Sequence, residues 1–179
     1  MAQFHDALNF VLKNEGGIAD DPNDNGKTTN KGISLRFLRT LSEEKLRKYG
    51  IFETPTSDTV LGLSDDQIIK IYEGEFWDDA PFEKIQGQLL CNRVFDMCVN
   101  SGLGTGIKCL QLALKPLLKD EIKVDGILGK ETLNAVNSNP ESWIITAFRN
   151  ERAREYKEIC ESHPEKKRYL NDWLTRAYR

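Results

Sequence analysis

Two carboxyl residues nine positions apart could do chemistry near the start of the chain. Phe4, Ala7, Leu8, Val11 and Leu12 recur at the i, i+3, i+4, i+7, i+8 spacing of an amphipathic helix, and the next step along that stripe falls on Glu15. A carboxyl on the buried face at a helix C-terminus is disfavoured twice in its charged form, by desolvation and by the negative end of the helix dipole. A group so placed keeps a proton for general-acid work. Gly16-Gly17 follows it directly and leaves room for a ligand to approach. Asp24 sits in the turn-forming run Asp20-Asp21-Pro22-Asn23-Asp24-Asn25-Gly26, where a solvated carboxylate stays ionised. One protonated and one ionised carboxyl make the pair that cleaves glycosidic bonds. Plainer readings exist for both: Glu15 turned to solvent or paired with an arginine, and Asp24 an Asx-turn residue.

The elements that must position these groups are mostly helices. After the first helix and the polar turn segment, Thr28 to Ile33 reads as a short strand or hairpin, and Ser34 as the N-cap of a helix through Leu35, Leu38 and Leu41. Residues 50–63 read as loop. Ser64-Asp65-Asp66-Gln67 is a capping box opening a helix through Ile68, Ile71, Tyr72 and Phe76. Residues 88–100 are apolar nearly all round, as in a central buried helix. Further helices are expected over Thr105–Lys119, from Asn139-Pro140 toward residue 161, and around Tyr169, Leu170, Trp173 and Leu174. The expected fold is mostly α in one compact body, with a small β-hairpin or loop region near the N-terminus.

Composition narrows the function. The 179 residues carry a net charge of −3, which argues against an electrostatic nucleic-acid footprint. No apolar run approaches the roughly 20 residues that span a bilayer, so membrane insertion is not expected. Met1-Ala2-Gln3-Phe4-His5-Asp6 lacks the basic start and apolar core of a signal peptide. The expectation is therefore a chain made in the cytoplasm, and action in the periplasm or cell wall requires a holin or another non-classical route. Cys91, Cys98, Cys109 and Cys160 form no C-x-x-C pair, and His5 and His163 lie far from them, so no metal is expected. Cys91 and Cys98 sit about 10 Å apart along one helix, beyond the roughly 7 Å a disulfide reaches. Four buried thiols are the expectation.

The ordered blocks Glu15-Gly16-Gly17, Asp21-Pro22-Asn23-Asp24-Asn25-Gly26 and Thr29-Asn30-Lys31-Gly32-Ile33 resemble the N-terminal signature of glycoside hydrolase family 108, N-acetylmuramidases of phages and bacteria. The resemblance continues through Ile71-Tyr72, Phe76-Trp77, Phe95-Asp96, Asn100-Ser101-Gly102, Leu110-Gln111, Asp125-Gly126-Ile127-Leu128-Gly129 and Thr132-Leu133. Arg152, Tyr156 and Trp173-Leu174 with Arg176 are similar to its C-terminal, peptidoglycan-binding part, so the likeness covers essentially the whole chain. It implies a lysozyme-like fold, with residues 1–88 as catalytic region and 89–179 as peptidoglycan-binding region. It implies a monomer acting on bacterial peptidoglycan, without cofactor, at the β-1,4 bond between N-acetylmuramic acid and N-acetylglucosamine, with Glu15 as catalytic acid. The spacing of Glu15, Asp24 and Thr29 also resembles the Glu, Asp and Thr set of phage-type lysozymes, and Asn30, in the family 108 block, is expected to bind substrate. The chain departs from the family pattern at Lys27-Thr28, at Ile18 and Lys31 where aromatics are common, and at Asp172 where glycine is usual.

Other residues carry two readings. Tyr72, Trp77 and Trp143 are aromatic faces for sugar rings or for the core; Trp77 is the groove candidate and Trp143 a core residue. Glu73 and Glu75 read as solvated, either one a substitute second carboxylate. Asp96 and Asn100 share one helix face, where they serve either internal hydrogen bonding or substrate contact. Two other functions fit the same scaffold: a non-catalytic wall-binding protein, and chitin hydrolysis or a lytic transglycosylase leaving an anhydro product.

Overall fold

A computed structural model describes residues 1–15, 28–118 and 121–179. Among them lie ten α-helices: α1 Phe4–Asn14, α2 Leu35–Leu38, α3 Glu43–Lys48, α4 Ser57–Leu61, α5 Asp65–Tyr72, α6 Gln88–Ser101, α7 Leu103–Leu114, α8 Lys130–Asn137, α9 Glu141–Ser162 and α10 Leu170–Tyr178. The only sheet among the described residues is an antiparallel hairpin of β1 (Thr29–Asn30) and β2 (Ile33–Ser34), with Asn30 opposite Ile33. The expected mostly helical fold with a small hairpin is what the chain adopts.

The centre of the molecule is α6. Leu90, Cys91, Val94, Phe95, Asp96, Met97 and Cys98 are all buried along it, because α1 packs on one side and α7 and α9 on others, with α10 lying on α9. The apolar stripe of α1 faces this helix through Ala7, Leu8 and Val11. Phe4, Trp77, Phe82 and Phe95 form an aromatic knot with ring centroids 5.3–6.3 Å apart, and burying each such ring contributes about 1.5–3 kcal/mol. All four cysteines are free and buried, as their composition and spacing implied. Burial pushes the Cys91 and Cys109 thiols up to about 12, so they are packing groups rather than nucleophiles.

Local signals set several element boundaries. Ser34 Oγ accepts from the Phe37 N–H, and Ser64 and Gln67 close a capping box at the start of α5. Three expectations are corrected. The helix capped by Ser34 runs one turn, not on to Leu41. Residues 50–63 are not all loop: Thr56 and Thr59 form a reciprocal capping box that opens α4. The long helix α9 begins at Glu141 with Pro140 at its cap, because the Asn139 amide bonds back to the Ala135 carbonyl.

Candidate active site

The site begins where α1 ends. Asn14 is its last residue, and Glu15 turns to an extended backbone while its N–H still reaches the Val11 carbonyl at 2.9 Å. The Glu15 side chain thereby leaves the helical stripe and stays 20% exposed. Its Oε1 accepts a hydrogen bond from Arg176 Nη2 of α10 at 2.7 Å. This corrects the expectation of a dry position opposed only by the helix dipole. The carboxyl's first neighbour is a guanidinium, which is the arginine pairing that the sequence left open.

The hairpin forms the floor. Its two-residue turn, Lys31-Gly32, has φ of +47° and +85°, as a turn that follows the strand twist requires. Gly32 is needed for contact as well as for conformation. A Cβ there would meet the Tyr72 hydroxyl at 2.5 Å and Glu15 Cγ and Oε2 at 3.1 Å. Tyr72, at the end of α5, is buried and donates its hydroxyl to the Lys31 carbonyl at 2.9 Å. Burial first, and then the Glu15 charge, push that phenol up, so Tyr72 acts as a hydrogen-bond donor and not as an anion.

Behind Glu15 lies a buried ionic cluster built on Asp96 of α6. Asp96 Oδ1 accepts from Asn14 Nδ2 (3.1 Å) and Arg176 Nη2 (2.8 Å), and Oδ2 from Arg152 Nη2 (2.8 Å) and Arg176 Nε (3.1 Å). Asp96 and Arg152 have no exposed side-chain surface, while Arg176 is 12% exposed. Burial of Arg176 works against its charge, but the Asp96 and Glu15 carboxylates overcome it and hold its proton more tightly than in free arginine. Arg152 Nη2 also donates to Tyr156 Oη, which donates to Asn100 Oδ1 at 2.9 Å. Its Nε and Nη1 have no hydrogen-bond acceptor among the described residues, and the guanidinium lies about 6 Å from the Phe148 and Tyr156 ring centroids instead. The C-terminal end joins the same cluster: Arg179 Nη1 donates to Asn14 Oδ1, and Arg93 and Arg149 both donate to the Arg179 carbonyl.

The remaining candidates separate. Asp24 lies outside the described residues. Thr29 pairs with Ser34 in the hairpin and is half-buried. Asn30 is a buried clip whose Nδ2 donates to the Val60 carbonyl at 3.1 Å, so it shapes the hairpin from beneath. Trp77 is corrected from groove wall to core: it is 8% exposed within the aromatic knot. Trp143 is corrected the other way, standing 62% exposed in the first turn of α9. Glu75 is not solvated either; its side chain is 7% exposed, held by the Tyr49 hydroxyl at 2.6 Å and Lys45 at 2.8 Å. Asp96 proves to be an internal anchor, and Asn100 an exposed residue tied to it through Tyr156 and Arg152. Asp125 accepts from Gln111 Nε2 and from the Ile127 N–H, which holds its carboxyl below the usual range. Among the described residues no group of three or more His, Cys, Asp or Glu side chains is placed to hold a metal ion.

Sequence reasoning missed the link between Glu15 and Arg176, 161 residues apart. A signal existed. Arg152 stands on the buried stripe of α9 with Ile145, Phe148 and Tyr156, and a buried cation requires a buried carboxylate such as Asp96.

Residues 8–102 match the profile of the family Glycosyl hydrolase 108, and residues 105–178 match that of a Predicted Peptidoglycan domain. The chain belongs to the glycosyl hydrolase 108 family. Together the two matches make it a peptidoglycan hydrolase. Among solved structures it is similar to one titled "Structure of Brucella abortus SagA", at 23% identity and a TM-score of 0.67, covering 97% of this chain and 92% of that one. That likeness shows a shared fold. Curated protein sequences gave no match. The junction between the two matched regions falls at Gly102, where φ of +89° turns α6 into α7, and Arg176 lies in the second region while Glu15 lies in the first.

Proposed function

We propose that this glycosyl hydrolase 108 protein is an N-acetylmuramidase that cuts the β-1,4 bond between N-acetylmuramic acid and N-acetylglucosamine, with Glu15 as general acid. The observation that carries the reading is the Glu15 carboxyl, partly exposed over the hairpin turn while a guanidinium grips one of its oxygens. In this reading Glu15 gives its proton to the glycosidic oxygen as the C1–O bond breaks, and the leaving sugar departs with a free hydroxyl. The anomeric carbon passes through an oxocarbenium-like state and takes up water. Asp24 is the proposed second carboxylate, and Thr29 supports the attacking water from the hairpin. Tyr72 and Gly32 fix the floor on which the sugar lies. The place of action that goes with this chemistry is the peptidoglycan layer.

The test uses purified peptidoglycan. Glu15→Gln preserves shape and removes the transferable proton, so clearing and release of reducing ends should fall by about 100-fold or more. Undiminished clearing would end the assignment of Glu15. Mass spectrometry of the products checks the reaction class, since hydrolysis adds water and a transglycosylase leaves 1,6-anhydro ends.

A further inference from the structure

We propose that Arg176 is the positioning residue of the catalytic acid: it fixes one Glu15 oxygen and stabilises the carboxylate that forms as the proton leaves. The proposal rests on the muramidase reading above and assigns a catalytic duty to the region matched as a peptidoglycan domain. That region then completes the acid's environment as well as contacting the wall.

The geometry is specific. Arg176 meets Asp96 with two hydrogen bonds, Nε to Oδ2 at 3.1 Å and Nη2 to Oδ1 at 2.8 Å. This grip sets the plane of the guanidinium, and Nη2 then directs its other hydrogen to Glu15 Oε1 at 2.7 Å. Asp96 cannot follow Glu15, because Arg152 and Asn14 occupy its remaining acceptor positions. The cation is thus anchored to the central helix independently of the acid. With Oε1 held, Oε2 is the oxygen left beside Gly32 and the hairpin, where the sugar would lie.

The charge balance explains the benefit. Arg152 and Arg176 are cations and Asp96 an anion, so these three side chains together carry one net positive charge while Glu15 is protonated. When the proton moves from Glu15 to the glycosidic oxygen, the carboxylate left behind brings these four side chains to neutrality. The stabilisation grows with the charge that develops in the transition state, and the dipole is already oriented. Among the described residues, the other charged and titratable groups facing Glu15 are Asp96 on α6 and the Tyr72 phenol on α5, neither of which supplies a positive charge.

The experiment compares Arg176→Gln, Arg176→Lys and Arg176→Ala by kcat and KM on a soluble peptidoglycan fragment, with circular dichroism to confirm folding. Arg176→Gln should lower kcat by about 100-fold, the size seen when one preorganised charge-stabilising donor is removed, with KM changed by less than about threefold. Lysine should restore part of the loss, because a point charge replaces a fork. Millimolar guanidinium should raise the rate of Arg176→Ala and leave that of the wild type unchanged. Full activity in Arg176→Gln, or a loss that neither lysine nor guanidinium repairs, overturns the role. If the glutamine variant does not fold, the lysine variant and the guanidinium rescue decide. An inactive Glu15→Gln beside a fully active Arg176→Gln overturns only this proposal, whereas an active Glu15→Gln overturns the muramidase reading beneath it.

Discussion

Asp96→Asn is the perturbation that probes the site's foundation most directly. The carboxylate is fully buried and accepts four hydrogen bonds, from Asn14, Arg152 and twice from Arg176. Asparagine keeps one oxygen and turns an N–H₂ group toward cationic donors. Arg152, itself without exposed surface, loses its buried counter-ion. Removing one partner of a buried pair costs about 3–5 kcal/mol, because the remaining charge is left uncompensated. At about 2–4 °C per kcal/mol for a chain of this size, Tm should fall by roughly 6–20 °C. Calorimetry and urea titration measure both quantities. The double variant Asp96→Asn/Arg152→Met sharpens the test: it removes the stranded charge and should be more stable than Asp96→Asn alone. A single-variant loss below about 1 kcal/mol, or a double variant less stable than the single, refutes the view of Asp96 as the buried counter-ion of Arg152.

Two further outcomes follow from the geometry. Gly32→Ala places a Cβ 2.5 Å from the Tyr72 hydroxyl and 3.1 Å from the Glu15 carboxyl, at φ +85°. It should cost about 1–3 kcal/mol in backbone strain and at least about tenfold in kcat, since small displacements of a reacting group are expensive. Wild-type kinetics in that variant would remove the hairpin from the site. For pH, Asp125 is held below its usual value, first by Gln111 and then by the Ile127 N–H. A depressed carboxyl contributes stability that is complete above the ordinary aspartate pKa and is lost as pH falls through the lowered value. The Tm difference between wild type and Asp125→Asn should therefore be larger at pH 6 than at pH 2, and a difference independent of pH would contradict the assignment.

Legibility in the sequence tracks how local the deciding force is. The stripe of α1, the nearly all-apolar α6, the Ser34 cap and the Ser64–Gln67 box are set within one or two helical turns, and the structure shows each of them. The short α4 was hidden because five residues give too little periodicity to see. The tryptophans exchanged roles for a related reason. Trp77 closes a π-helical turn, Glu73–Trp77, whose wider register swings its side chain into the knot with Phe4, Phe82 and Phe95. Trp143 lies in the first turn of α9, where no element among the described residues covers it, and periodicity does not distinguish a helix end from its middle.

The residues alone determined a mostly helical chain, a carboxyl at the end of its first helix, four buried thiols and a resemblance running through both halves. Only tertiary packing decided what that carboxyl meets. Helical periodicity orients a side chain about its own axis, but the partner across a 161-residue gap depends on how α1, α6, α9 and α10 stack. One buried arginine, one partly buried arginine and one buried aspartate can satisfy one another only when those four helices are assembled, and the same assembly brings Arg176 to Glu15.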